Sequence, residues 1–138
     1  MPRYAAVTLL KRVLYLQAAA NALFSVLAVT APRFLLVTLL GQPAYVDYAW
    51  IRLVGVQDLV LAMLIVLVAQ RIEEMWWWSW AFVVMAFGTA AIMTLHALIG
   101  LPPAAAAWPW WAGGLFSWLI AFGLLRGIAG AGVEAERE

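Results

Sequence analysis

Residues 48–70 read YAWIRLVGVQDLVLAMLIVLVAQ, apolar without interruption from Leu59 to Ala69 yet carrying Arg52, Gln57 and Asp58 in the first half. As a helix this stretch is ~35 Å long at 1.5 Å per residue, enough to cross a hydrocarbon core of ~30 Å. An ionisable side chain near the centre of such a helix costs ~3 kcal/mol on insertion scales, so it stands there with a partner or a task. Arg52 and Asp58 are therefore the first candidate functional residues.

The surrounding chain has the same character. Of its 138 residues 67% are hydrophobic and 11% charged, whereas a soluble domain carries roughly a quarter charged residues; the composition is that of an integral membrane protein. A net charge of +1 without a Lys/Arg run gives nucleic acid no electrostatic footing. The absence of cysteine excludes disulfides, iron–sulfur ligation and thiol chemistry. With His96 as the single histidine, a bis-histidine haem within one subunit is excluded, and no ligand set for a metal is expected.

Outward from residues 48–70, three further spans are expected. The first, at about 12–31, follows Arg3, Lys11 and Arg12, and is read as a retained helix rather than a signal sequence because Pro32 would follow a cut at Ala31. On it Gln17, Asn21 and Ser25 recur every four residues as a polar stripe suited to hydrogen bonds between helices. Extending this helix to Leu40 would give ~50 Å, too long for the core. The run from Pro32 to Gly41 is therefore expected to be a short helix lying in the interface or re-entering it, roofing a cavity. After span 48–70, the charged turn Arg71, Glu73, Glu74 leads into an aromatic belt at Trp76, Trp77, Trp78 and Trp80 and a third span at about 75–99. Gly100, Pro102 and Pro103 end it. The fourth span is expected at about 109–126, leaving 127–138 as a flexible tail.

Short loops between four spans make a single membrane domain, 1–138, of the all-α, up-down four-helix type. Arg3, Lys11, Arg12, Arg71, Arg126 and Arg137 flank one side of the spans and Arg33 alone the other. The positive-inside rule then puts both termini in the cytoplasm, with a bacterial inner membrane as the expected location.

Counting residues from the boundaries gives depth. Tyr48, Arg52 and His96 fall in an outer layer beneath the Pro32–Gly41 segment, and Asn21, Gln57, Asp58, Thr89 and Ser117 in a layer near the midplane. Arg52 and Asp58 differ by ~240° around their helix and lean apart, so they are expected to act separately, with Tyr48 as the neighbour of Arg52. Alternatives with no ligand are open for each: Arg52 reaching to lipid headgroups, Asp58 fixing helix register, His96 as a hydrogen-bonding core residue. Gly123 and Gly127 form a G-x-x-x-G suited to close pairing of helices within the chain or in a dimer.

The order of parts, with APRFLLVTLLG after the first span, R-L-V-G-V-Q-D-L at the head of the second and a histidine near the end of the third, resembles the DoxX-like group of small four-helix membrane proteins. The spacing Arg52-x-x-Gly55-x-x-Asp58 carries the likeness most specifically. Founding members of that group are linked to quinone-coupled sulfur oxidation. With no cysteine to carry sulfur, the resemblance implies the fold and a quinone- or lipid-sized site rather than that reaction.

Three functions follow. One is a binding protein holding a lipid- or quinone-like molecule in an outer-leaflet pocket, with Arg52, Tyr48, His96, Asp58, Gln57 and Asn21 as ligand-binding residues and a quinone or bound lipid as the candidate cofactor. Another is an accessory subunit, a homo-oligomer or part of a larger membrane complex, whose apolar faces and nine tryptophans cover partner helices. The third is a quinone-linked redox or proton-transfer enzyme using Asp58 and His96. The scarcity of ionisable groups weighs against that, and no catalytic residue is assigned.

Overall fold

A computed structural model describes residues 3–135, with side-chain surroundings from 4 to 131. Among these residues it is all-helical. The long helices are α1 (Arg3–Thr30), α2 (Ala49–Gln70), α4 (Ser79–Ile99) and α5 (Trp108–Ala135), and a short α3 (Ile72–Met75) opens the third span. Each long helix is apolar and long enough to cross a membrane, with α3 and α4 forming one span. The chain is thus an integral membrane four-helix bundle with both ends on the same side.

Two ends differ from the sequence expectation. Helix α1 begins at Arg3, not near residue 12, and α5 runs on to Ala135 rather than releasing a tail at 127. The cause is packing between them. A Cβ on Gly123, Gly127 or Gly130 would sit 3.0, 2.8 or 2.6 Å from Val13, Leu10 or Ala6 respectively, so the glycine edge of α5 lies directly on α1. Ile128 and Ala131 are buried in the same seam. The G-x-x-x-G is therefore used inside the chain.

Between α1 and α2 the chain forms a wide-turn π-helical stretch, Phe34–Leu39. Thr30 Oγ1 donates to the Val26 carbonyl at 2.6 Å, and Pro32, which lacks an N–H, follows. The Leu40 N–H donates to Leu35 O at 3.0 Å and Gln42 N–H to Leu36 O at 2.8 Å, bonds that span more residues than an α-helical turn. Gly41 closes it with φ +59°, and its missing Cβ makes room for Ala106 at 2.8 Å.

Helix α1 packs along both α2 and α5, and α5 along α4, while the backbones of α2 and α4 hardly approach each other. The hydrophobic interior consequently falls into two parts. The larger, toward the termini, joins Leu10 and Leu14 of α1 with Ile65 and Val68 of α2, Phe82 and Val83 of α4 and Leu124 of α5. The smaller, at the opposite end, gathers Ala28, Leu35, Leu36 and Ile51. A polar layer lies between them.

Candidate functional site

Four apolar helices converge on a chamber of about 340 Å³ at the level of this break in the core. Its polar lining is Gln17 and Asn21 from α1, Asp58 from α2, Thr89 from α4 and Ser117 from α5, so every long helix contributes. Asp58 lies ~14 Å along α2 from Ala49, near the middle of a membrane core. The rest of the lining mixes small Ala20, Ala86 and Gly113 with the larger Phe24, Met85, Met93, Phe116 and Ile120, and Met93 packs directly over Gly113.

The sharpest feature is Gln17. It is 4% exposed, and its Oε1, like the buried hydroxyls of Ser25 and Ser79 outside the chamber, has no hydrogen-bond partner among the described residues. A buried acceptor left unpaired costs ~1–3 kcal/mol, and native interiors contain few of them. Ser25, two turns further along α1, has rotated out of the chamber and lies buried against α2, where its carbonyl would be 3.2 Å from a Cβ on Gly55. Four residues are ~400° of helix, so a four-residue stripe drifts by ~40° per step and divides between two neighbours.

A second cavity, about 290 Å³, lies outward of the chamber under the π-helical stretch. Phe24 and Met93 border both spaces and form the wall between them. Leu36, Leu40, Ile51 and Val54 make this outer cavity apolar, and its polar groups are Gln42, Tyr45 and the indoles of Trp50 and Trp110. Gln42 fastens the roof. Its Nε2 donates to Leu40 O at 2.8 Å and to Ala106 O at 3.1 Å, its Oε1 accepts from the Trp110 indole at 3.3 Å, and Ala106 N–H donates to Gly41 O at 2.9 Å. The loop after α1 is thereby tied to the loop before α5.

The residues singled out in the sequence are distributed differently from the two layers expected. Asn21, Asp58, Thr89 and Ser117 come together in the chamber. Gln57 does not: it is exposed, because its neighbour Asp58 occupies the interior face and adjacent residues point ~100° apart. Tyr48 and Arg52 stand one turn apart at the start of α2, joined by the Arg52 N–H to Tyr48 O bond at 3.2 Å, and neither they nor His96 line the chamber or the outer cavity. Arg52 is exposed on α2; half-buried Tyr48 accepts from the Tyr45 N–H at 3.3 Å and packs on the outer core. His96 is half-buried with its ring 4.3 Å from that of Trp110 and tilted 52° to it, so it packs against a residue of the outer cavity without lining it. Gln17, read from sequence as a helix-to-helix hydrogen-bonder, and Gln42, not singled out at all, take the places next to the two cavities. Gln42 carries a local signal, the only polar side chain of the Gly41-Gln42-Pro43 break, but its partners are more than sixty residues away.

The arrangement offers one ionisable group, two amides and two hydroxyls in an otherwise apolar space, adjoined by an apolar cavity. It can hold the polar end of a molecule whose remainder is hydrophobic. Among the described residues no three His, Cys, Asp or Glu side chains gather as a metal site would require. No family model, no curated protein and no solved structure matches the chain.

Proposed function

We propose that this small polytopic membrane protein binds an amphipathic molecule of lipid or quinone size inside its bundle, with the polar head in the chamber at Asp58, Asn21, Gln17, Thr89 and Ser117. The observation that carries this reading is the convergence of polar side chains from all four long helices on one space, among them the buried Gln17, 4% exposed, whose Oε1 has no partner among the described residues. A layer serving only to tie helices together would satisfy its own hydrogen bonds. With the Phe24 and Met93 side chains that wall it off turned aside, the apolar cavity beyond them suits the hydrophobic part of the same molecule. The Lys/Arg asymmetry supports cytoplasmic termini, which would place the outer cavity toward the external leaflet of a bacterial inner membrane.

Native mass spectrometry of gently solubilised protein tests the proposal. A small molecule of constant mass should accompany the chain, and Thr89→Phe, which fills the chamber from an exposed position on α4, should remove most of it without unfolding the bundle. An empty wild-type protein, or undiminished occupancy in Thr89→Phe, would count against binding. A different polypeptide accompanying the chain would favour the accessory-subunit reading.

A further inference from the structure

Helix α1 carries a second face that the chamber does not use. Thr8, Lys11, Tyr15, Ala18 and Ala22 follow one another at steps of three and four, so they lie along one side of the helix. Against α2 this side makes two depressions. A groove of about 790 Å³ is lined by Ala18, Ala19 and Ala22 of α1 and by Leu59, Met63 and Leu67 of α2, with Tyr15 and Gln70 at its end toward the termini. A space of about 410 Å³ adjoins it at Tyr15, which lines both, and is bordered by Thr8, Lys11, Arg12 and Glu73. The groove faces outward, because Ala19, Leu59, Met63 and Leu67 are exposed. From Gln70 to Leu59 it follows α2 for ~16 Å, half of a hydrocarbon core of ~30 Å. It therefore spans one leaflet, apolar toward the midplane and polar at the surface.

We infer that this α1–α2 groove binds a phospholipid of the leaflet on the side of the termini, its anionic phosphodiester at Lys11 and Arg12 and its acyl chains along Ala18, Ala19 and Ala22. Charge selects that occupant. The polar space holds two cations, Lys11 and Arg12, and one carboxylate, Glu73, which leaves a single formal positive charge, the complement of one phosphodiester. Guanidinium and ammonium groups give phosphate oxygens charge-assisted hydrogen bonds, and basic pockets between membrane helices hold anionic head groups in this way. Tyr15 and Gln70 stand at the junction of the two depressions, the level at which the ester groups of such a lipid fall. The inference does not depend on the chamber, which takes Gln17, Ala20 and Asn21 from another face of α1.

Two probes with the same dioleoyl chains separate head from tail: phosphatidylglycerol, an anion, and phosphatidylcholine, a zwitterion. Each is titrated into delipidated protein in detergent, and successive adducts are resolved by native mass spectrometry. The first phosphatidylglycerol is expected to bind about tenfold more tightly than the first phosphatidylcholine. Lys11→Gln combined with Arg12→Gln should bring the two lipids level. Ala19→Phe, which fills the groove from an exposed position, should weaken both lipids about tenfold. Should circular dichroism show Ala19→Phe unfolded, Met63→Trp repeats the test from the exposed α2 wall. Arg33→Gln, at the opposite end of α1, and Thr89→Phe, in the chamber, should leave both affinities unchanged. A preference that survives the double variant, or is lost equally in Arg33→Gln, would overturn the inference. Binding untouched by a folded groove variant would overturn it as well, since surface charge alone would then hold the lipid. Loss of the lipid in Thr89→Phe would move it to the chamber, leaving the binding reading standing and this one refuted. A lipid-free dimer that Ala19→Phe splits would refute it in favour of a second copy in the groove.

Discussion

Replacing Gln17 by leucine should stabilise the ligand-free bundle while weakening retention of the bound molecule. Gln17 is as buried as a core residue, 4% exposed, and its Oε1 is unpaired. Such an acceptor costs ~1–3 kcal/mol, and leucine has nearly the same bulk with no polar atom to satisfy. In a membrane the separated helices also find partners for a glutamine, which trims the expected gain to ~1 kcal/mol. The control is Leu14→Ala, one turn nearer the amino end and fully buried. Truncation there leaves a cavity in the larger core and should cost ~2–5 kcal/mol. Unfolding of delipidated protein by SDS in mixed micelles, followed by circular dichroism, gives both values on one scale. A glutamine kept at the expense of stability is the signature of a functional position. If Gln17→Leu instead lost more than ~1 kcal/mol, the amide would be a structural tie between helices, and the chamber would have to be read as ordinary packing.

Other outcomes follow from the same geometry. Arg52→Met and Asp58→Asn should add within ~0.5 kcal/mol in the same titration; a double mutant several kcal/mol more stable than Arg52→Met would reveal direct pairing. Gly127→Leu should cost ~1–3 kcal/mol, because a Cβ there already meets Leu10 Cβ at 2.8 Å and its Cα at 3.1 Å. Gly88→Ala, with nothing within 4 Å of the added atom, should be neutral or stabilising by up to ~1 kcal/mol. Equal effects at the two glycines would mean that α1 and α5 do not cross closely. Gln42→Leu removes the hydrogen bonds to Ala106 and Trp110 and should destabilise by ~1–2 kcal/mol, with faster hydrogen exchange at residues 101–107; unchanged exchange there would refute the clasp. In the cysteine-free chain, an impermeant thiol reagent applied to intact cells should label Ala105→Cys and spare Glu74→Cys, and the opposite pattern would invert the topology.

Depth was legible in the sequence and direction was not. Counting ~1.5 Å per residue from the ends of each span placed Asn21, Asp58, Thr89 and Ser117 at one level, and these four line one chamber in the folded chain. The same counting put Gln57 with Asp58 and Arg52 with His96, although these side chains point elsewhere. A helix offers no rotational reference until its packing partner is known. The outer cavity was hidden for a different reason: its roof depends on Gln42 meeting Ala106 and Trp110 across sequence separations of 64 and 68. No local pattern announces such a contact. The extent of α1 and α5 was underestimated because lipid-crossing length was used as the limit, whereas their ends are held by Gly127 and Gly130 against Leu10 and Ala6.

One rotational reference was nevertheless present in α2. Small residues recur every seven positions at Gly55, Ala62 and Ala69, and interleaved with them are Ile51, four residues before Gly55, then Asp58 and Ile65, again seven apart. Together they alternate by four and three, the spacing of a helix seam that faces its partners. Apart from half-buried Asp58, all of these residues are buried, and Gly55 meets Ala28 and Val29 of α1. At ~100° per residue, Ile51, Ala62, Ile65 and Ala69 all fall within ~40° of Asp58, whereas Arg52 and Gln57 lie ~100° or more to either side. Asp58 therefore holds the seam position that isoleucine holds one heptad before and one heptad after. The same seam pattern makes the spacing Arg52-x-x-Gly55-x-x-Asp58 intelligible. Glycine brings α1 close, arginine is turned out of the bundle, and aspartate is turned into it where the core opens into the chamber.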